Sequence, residues 1–341
     1  MACIENAPGF NPGECSLHPS WMVNYHWRKA RWHALKMPLG LPQGIIAFTL
    51  LTSMSDSSSE RKPYHQSENI SAAYQLRYHF GWYTHLRQPY FHDPTNRSIA
   101  STTINEVSER YGYHVLELAY EPTVVRCLMS TLPTDCPSAV TRNVKGALSA
   151  RFRREGVSNL WSKGWFARSN GTVCERTIQD YIAKQFEHHR AIPIRSTLPV
   201  GERHFQHPQS PSQLQKSSHA AYENNVHFVL CVKGRVELLD EFVSQKLLKF
   251  WMQFIEREGW LCWSMSVLAD HAHMLLGLPL DVPIHTAVFR LMNNAEHWFA
   301  SCWKRILVEA RLDTLFQPSY YAGTTGGATT AQIRAYLDNL A

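Results

Sequence analysis

Residues 72–80, AAYQLRYHF, return 148 positions later as residues 220–228, AAYENNVHF. The two stretches share an Ala-Ala-Tyr triplet and a His-Phe pair at the same spacing. A second ordered series recurs at an offset of 155. It pairs Trp161, Trp165, Ala167, Gly171, Ile178 and Tyr181 with Phe316, Tyr320, Ala322, Gly326, Ile333 and Tyr336. Two ordered series of this kind indicate two copies of one structural module.

The repeat sets the predicted domain organisation. Module 1 covers residues 71–190 and module 2 covers residues 219–341, and the stretch 191–218, rich in Pro, Ser, His and Gln, is predicted to be a linker. Residues 1–70 are predicted to be a poorly ordered N-terminal extension. Its polar stretch from Met54, MSDSSSERKPYHQSEN, is typical of a disordered N-terminus, which suggests that translation starts at Met54. The alternative is an ordered extension from Met1, and peptides upstream of Met54 in the native protein would support it.

Composition excludes several classes of protein. With 341 residues, 44% hydrophobic and 18% charged, the chain can bury sizeable cores and is neither fibrous nor disordered. The most apolar run, 45–51, is far shorter than the ~20 residues of a membrane span, so no membrane partner is expected. Eight cysteines without a CxxC pair predict reduced thiols and a cytoplasmic protein. The net charge of +6 permits a nucleic-acid partner without establishing one.

Hydrophobic periodicity predicts the same order of elements in both modules. Strands are predicted near 74–86, 113–119, 220–232 and 262–268, and helices near 100–111, 138–154, 173–187, 240–258, 286–305 and 329–340. Strands and helices alternate within a short module. The pattern therefore predicts an α+β fold in which helices pack on an antiparallel sheet.

The clearest chemical motif lies in module 2, at residues 269–276, ADHAHMLL. On a strand, His271 and His273 share one face, so their imidazoles converge as half of a divalent-metal site. A His-x-His pair alone is weak support, because in a chain with 18 histidines two surface or satisfied core histidines are the commoner outcome.

The ordered combination of motifs resembles the single-tyrosine HUH transposases, the insertion-sequence and REP-associated tyrosine transposases with an IS200-like domain. Their pattern is a leading strand with an aromatic-rich His segment, Asp-His-hydrophobic-His on a central strand, a tryptophan-containing loop with glycines and a last helix bearing Tyr-Ile-x-x-Gln. The matching stretches are 74–91 and 161–185 in module 1 and 270–276 and 316–337 in module 2.

This resemblance implies two tandem ferredoxin-like (RRM-like) modules that form a pseudo-dimer. It implies a metal-dependent enzyme, using Mg²⁺ or Mn²⁺, that nicks and rejoins single-stranded DNA at hairpin-containing element ends through a 5′-phosphotyrosine. The chain would be a monomeric pseudo-dimer or a homodimer, associated with the nucleoid when bound to DNA.

Each module departs from the family pattern in a different place. In module 1 the segment 122–126, PTVVR, replaces the histidine motif, while Tyr181 and Gln185 remain on one helix face, four residues apart. In module 2 His271, His273 and Tyr336 remain, but the position four residues after Tyr336 is Leu340.

In dimers of the family that this chain resembles, the tyrosine helix of one subunit can dock against the histidines of the other. Together with these losses, the resemblance implies one composite active site, with His271, His273 and Gln185 as metal ligands and Tyr181 as nucleophile. The site with Val124, Arg126, Tyr336 and Leu340 would be vestigial. The alternative is that Tyr336 is the nucleophile within module 2 and Tyr181 is an ordinary helix-face aromatic. Asp270 would orient a ligand histidine through a hydrogen bond, without binding the metal itself, or it would merely end the preceding strand.

A basic run in module 1 is the candidate DNA-binding surface. It consists of Arg142, Lys145, Arg151, Arg153 and Arg154, which suit phosphate contacts, although a solvated helix face is the commoner fate of such runs. The alternative function is a catalytically inactive, domesticated protein that binds DNA hairpins. A relaxase or replication initiator would use the same chemistry, although no helicase-like segment follows.

Overall fold

The computed structural model describes residues 64–185, 203–209 and 214–340, all within one compact unit. Met54, the predicted extension up to residue 63 and most of the predicted linker lie outside these ranges. The last residues of the predicted extension, 64–70, pack on module 2. His65 and Ile70 are buried there, and His65 Nε2 lies 3.0 Å from Glu296 Oε1.

Module 1 follows the order strand, helix, strand, strand, helix, strand. These elements are β2 (Arg77–Thr84), α1 (Pro94–Tyr111), β3 (His114–Glu121), β4 (Val124–Ser130), α2 (Pro137–Arg154) and β5 (Trp161–Asn170). A short strand, β1 (Ser71–Gln75), precedes them and a helix, α3 (Glu175–Ala183), follows. Helix α1 begins earlier than predicted, because the Asp93 carboxylate accepts a hydrogen bond from the Thr95 N–H and Pro94 occupies the first turn.

Module 2 repeats this order. Its elements are β9 (Asn225–Val232), α4 (Glu241–Arg257), β10 (Leu261–Val267), β11 (His271–Gly277), α5 (Ile284–Glu309) and β12 (Phe316–Thr325). Strand β8 (Ala220–Glu223) precedes them and helix α6 (Thr330–Asp338) follows. Two short strands before module 2, β6 (His204–Gln206) and β7 (Gln215–Lys216), extend the sheets at their edges.

The described strands form two sheets, in the orders β3-β4-β2-β5-β8-β7 and β1-β12-β9-β11-β10-β6. Within each sheet, the four strands of one module are antiparallel and lie in the order fourth, first, third, second. This is the ferredoxin-like arrangement, so the predicted α+β fold with two tandem modules is confirmed.

The modules exchange their leading strands. Strand β1 pairs in parallel with β12 of module 2, and β8 pairs in parallel with β5 of module 1. Ala72 lies opposite Tyr320 and Ala220 lies opposite Trp165, so the two pairings are equivalent under the sequence offsets. The exchange corrects the prediction of single strands near 74–86 and 220–232, because each is two strands that belong to different sheets.

Two buried residues mark the points where the chain passes between sheets. Leu76 follows β1, and Asn224 follows β8. The Asn224 side chain accepts a hydrogen bond from the Tyr78 hydroxyl at 3.0 Å and donates to the Pro279 carbonyl at 3.3 Å. These bonds tie the crossing point of module 2 to both modules.

Glycine is required where the ends of β5 and β12 approach each other. The Ser169 hydroxyl donates to the Thr325 carbonyl at 2.7 Å. A Cβ atom on Gly171 would lie 2.4 Å from the Thr324 carbonyl oxygen, and one on Gly326 would lie 2.1 Å from the Ser169 carbonyl oxygen. Any other residue would displace the backbone, which explains why this glycine is common to both modules.

Each sheet has helices on both faces. In module 1, alternate residues of β2 such as Phe80 and Trp82 point into a core that is shared with Phe152 of α2. The opposite face of this sheet carries α6 of module 2, whose Ile333 and Leu337 pack with Ala119 and Leu128. Reciprocally, α3 of module 1 packs on β10 and β11 of module 2.

None of the helices in the part of the chain that the structure describes has the length and apolarity needed to cross a membrane.

Candidate functional site

Helix α3 carries Tyr181 of module 1 onto the sheet of module 2. Ile178 and Ile182 are buried, whereas Arg176 and Asp180 are exposed, so the helix presents one apolar face to that sheet. The Ser266 hydroxyl of β10 donates to the Ile182 carbonyl at 2.9 Å. The last turn of α3 is thereby attached to the strand next to the predicted histidine pair.

The structure brings Tyr181 and the histidine pair together. The Tyr181 ring lies edge-on to His273, with the ring centroids 5.4 Å apart. His271 and His273 are both buried on β11, and their ring centroids are 5.0 Å apart. One cluster therefore contains a tyrosine from module 1 and two histidines from module 2.

Asp270 contacts the first histidine of the pair. Its carboxylate accepts a hydrogen bond from His271 Nδ1, and it also forms an ion pair with Arg235 Nε at 2.9 Å. A bond at Nδ1 leaves Nε2 as the nitrogen that can act as a ligand. Orientation of His271 by Asp270 stays a prediction, and this hydrogen bond is the contact that it requires.

His227 belongs to the same cluster, although sequence reasoning treated it only as a marker of the repeat. Its Nε2 lies 3.1 Å from His273 Nδ1, and the two rings stack with centroids 5.3 Å apart. Burial lowers the pKa of His227 to about 4, so this imidazole is neutral at neutral pH. The recurrence of His79 at position 227 was the sequence signal that could have identified it.

Gln185 is buried at the end of the Tyr181 segment. Its side-chain amide nitrogen donates to the Tyr181 carbonyl at 3.1 Å, which leaves the amide oxygen as the atom suited to a cation. Burial raises the pKa of the Tyr181 hydroxyl, while hydrogen bonding by Gln185 and the positive charge of Arg235 act in the opposite direction.

Tyr336 of module 2 lies on module 1 in the equivalent place. Strand registers put Val124 and Arg126 of β4 where β11 carries His271 and His273. The Arg126 guanidinium carbon is 5.5 Å from the centroid of the Tyr336 ring, and the His79 ring is 6.3 Å from it. Leu340 packs with the apolar cluster around Leu337, so this second site lacks an amide and both ligand histidines.

The histidines of the cluster, His271 and His273, carry atoms that can bind a divalent cation. Two imidazoles, one of them hydrogen-bonded to a carboxylate at Nδ1, are nitrogen donors of the kind that bind divalent cations. Within the described ranges, no group of three or more His, Cys, Asp and Glu side chains is placed to hold a metal. The third ligand predicted from the sequence is of another type, the amide of Gln185, and its role stays a prediction.

The basic run on α2 lies apart from Tyr336. Helix α2 covers the face of the module 1 sheet opposite to α6. Arg151 forms an exposed ion pair with Glu155, and Lys145 donates to the Ser162 carbonyl at 2.8 Å. Burial lowers the pKa of Lys145 to about 8, and the remaining members of the run are exposed: Arg142, Arg153 and Arg154.

The fold and these motifs define a class of DNA transposase. The family model for IS200-like transposases matches residues 72–185 and 220–340, which is more than half of the chain, in two separate segments. The chain therefore belongs to the IS200-like transposase family and contains two copies of its domain.

Each individual relative matches a part of this chain about as long as one of the two copies. The ISDra2 transposase TnpA of Deinococcus radiodurans is 25% identical over 129 residues, which are 38% of this chain and 92% of the relative. A crystal structure at 1.90 Å of a Deinococcus radiodurans R1 protein assigned as a transposase is 24% identical, covers 37% of this chain and 98% of its own, and has a TM-score of 0.32. A REP-associated tyrosine transposase bound to a REP hairpin is 16% identical over 40% of this chain and 76% of its own, with a TM-score of 0.26.

Proposed function

We propose that the protein is a metal-dependent enzyme that nicks and rejoins single-stranded DNA through a 5′-phosphotyrosine at one composite site per chain. The observation that carries this proposal is a contact between the modules. The ring centroids of Tyr181 and His273 are 5.4 Å apart, whereas the ring of Tyr336 lies 5.5 Å from the guanidinium carbon of Arg126. Tyr181 is therefore the proposed nucleophile, and Tyr336 is the alternative.

His271, His273 and Gln185 would hold the cation, which is Mg²⁺ or Mn²⁺. When bound, such an ion polarises the scissile phosphate and stabilises negative charge on its oxygens. Asp270 fixes the orientation of His271 through Nδ1. His227 does the same for His273, provided that His273 Nδ1 carries the proton and donates to His227 Nε2.

Tyr181 supplies the attacking oxygen. A new bond forms between its hydroxyl oxygen and the phosphorus as the bond from phosphorus to the 3′ oxygen breaks. The phenolic proton of Tyr181 passes to solvent, and the departing 3′ oxygen gains a proton from solvent to become a free 3′-OH. Because burial raises the pKa of Tyr181, its neighbours Gln185 and Arg235 are needed to favour ionisation.

The same chemistry accounts for rejoining. The phosphotyrosine retains a phosphodiester linkage, so the 3′-OH of another strand can attack the phosphorus and release Tyr181. Strand transfer then needs no ATP. One composite site per chain suits a monomeric pseudo-dimer, and cutting two ends at once would require two chains in a homodimer.

We infer a hairpin-containing single strand as substrate. Membership of the IS200-like transposase family supports a DNA partner for this chain. A REP-associated tyrosine transposase has been solved bound to a REP hairpin, which is the type of DNA proposed here. The exposed arginines of α2 would contact phosphates away from the reacting bond. The working location would be the cytoplasm, on the nucleoid.

The test is formation of a covalent adduct. The full chain is incubated with labelled single-stranded hairpin oligonucleotides and Mn²⁺, and the adduct is mapped by mass spectrometry. We expect an adduct on Tyr181 that Tyr181→Phe abolishes and its counterpart Tyr336→Phe retains. An adduct on Tyr336 would overturn the composite site, and binding without any adduct would favour the inactive hairpin binder.

A further inference from the structure

The counterpart of the composite site, between β4 and α6, keeps a positive charge although both ligand histidines are absent. Arg126 occupies the place of His273, and Val124 occupies that of His271. A guanidinium cannot ligate a metal and repels one, but its planar N–H groups fit phosphate oxygens. The substitution thus replaces a cation-binding position by a fixed cation.

The surroundings of Arg126 allow a ligand to reach it. The Arg126 side chain is 18% exposed, and Tyr336 above it is 36% exposed. The position paired with Arg126 on β2 is Gly81, where module 2 has Val229 opposite His273. A Cβ atom at Gly81 would be in ordinary contact with Phe166 and with Arg126 Nη1, at 3.5 and 4.0 Å. Gly81 therefore places no side chain over the guanidinium, whereas the equivalent valine of module 2 does have one.

Two guanidinium groups lie near His79 at this site. His79 is buried beneath Tyr336, and its Nε2 has no hydrogen-bond partner. Burial and then the charges of Arg126 and Arg168 lower the pKa of His79 to about 3. The equivalent His227 is affected by burial alone. Two carboxylates offset much of this charge, because Glu121 accepts a hydrogen bond from Arg126 Nε and Glu223 accepts one from Arg168 Nε.

We propose that this second site, made by Arg126 and Tyr336, binds a backbone phosphate of single-stranded DNA without a metal ion. The inference rests on the proposed function only for its ligand, the same DNA strand. Arg126 donates through its Nη groups while Glu121 holds Nε, and the Tyr336 hydroxyl donates to the same phosphate. The site is a binding site, and it performs no chemistry.

Two neighbouring substitutions test this proposal because they have opposite expected effects. Binding of a fluorescein-labelled single-stranded oligodeoxythymidine is measured by anisotropy in EDTA over a range of salt concentrations. This probe is suitable because phosphate contacts do not depend on base sequence. Arg126→Gln should weaken binding about tenfold and reduce the slope of log affinity against log salt by about 0.7, the loss of one phosphate contact. Glu121→Gln should tighten binding, because it releases the guanidinium.

A purely structural ion pair predicts a different result. Both substitutions would then lower the melting temperature, and neither would change affinity or salt slope. That result, or weaker binding by Glu121→Gln, overturns the proposal. If Arg126→Gln does not fold, Arg126→Lys replaces it and should keep the salt slope but lose affinity.

The outcome is separable from that of the proposed function. An adduct on Tyr181 together with unchanged metal-free binding by Arg126→Gln would reject only the second site. Weakened binding by Arg126→Gln without any adduct in the wild type would reject only the enzyme.

Discussion

Docking of α3 on module 2 can be weakened by one substitution that has a matched control in the same chain. Ile178 on α3 is 3% exposed, and its repeat partner Ile333 on α6 is 8% exposed. Ile178→Ala and Ile333→Ala therefore make the same chemical change on the two exchanged helices. Only the first lies on the helix of the proposed nucleophile.

The magnitude follows from the carbons removed. Ile→Ala deletes three buried carbon atoms, and each contributes about 0.8 kcal/mol when buried, so docking should weaken by about 2.4 kcal/mol before any cavity term. Since 1.4 kcal/mol is a factor of ten, the ratio of docked to undocked α3 should fall by about 50-fold.

Hydrogen exchange followed by mass spectrometry measures this ratio directly. Amides of α3 should exchange up to about 50-fold faster in Ile178→Ala, while those of α6 change little, and Ile333→Ala should show the reverse. Adduct formation on Tyr181 should fall only in Ile178→Ala. The reasoning is refuted if the two variants open both helices equally, or if both lose the adduct to the same extent.

Two further predictions use the paired histidines of the repeat. His227→Phe should weaken Mn²⁺ binding by about 10- to 100-fold in calorimetry, because His273 loses its partner at Nδ1. The matched control, His79→Phe, should leave Mn²⁺ affinity unchanged. Equal affinities of the two variants would contradict this role of His227. The folded-state pKa values of His79 and His227, about 3 and about 4, lie below the ordinary 6.5. Below pH 6.5 the unfolded state therefore binds protons that the buried histidines do not. The free energy of unfolding is largest above pH 6.5 and falls as the pH drops toward the folded-state pKa values, by up to about 1.4 kcal/mol per pH unit for each histidine. The melting temperature should fall less from pH 7 to pH 5 in His79→Phe than in the wild type, and identical falls would count against buried neutral histidines.

Sequence reasoning predicted the elements well where a periodic pattern had clear ends. The helix predicted at 240–258 is observed at Glu241–Arg257, and the Asp240 carboxylate accepts a hydrogen bond from the Val243 N–H at its start. The strand predicted near 220–232 was wrong in one respect, because its two halves pair in different sheets. Strand propensity describes the conformation of a residue and carries no information about its pairing partner.

The candidate site was predictable as a set of residue types but not as a set of contacts. His271 and His273 follow from the spacing of a strand, and Tyr181 and Gln185 from the spacing of a helix. The contact between His227 and His273 lies across two strands and depends on their register. The period of a strand gives the face on which a side chain lies, but it does not give the residue that lies opposite on the neighbouring strand.

The sequence by itself determined that the chain holds two copies of one α+β module and that each copy has lost a different part of the family pattern. Only the tertiary structure decided which strand and which helix belong to which sheet. The two copies have nearly the same hydrophobic pattern, so pairing within a module and pairing between modules would bury similar surfaces. In the structure the chain passes from one sheet to the other at Leu76 and at Asn224. Beyond the close approach at Gly171 and Gly326, helices α3 and α6 each pack on the opposite module.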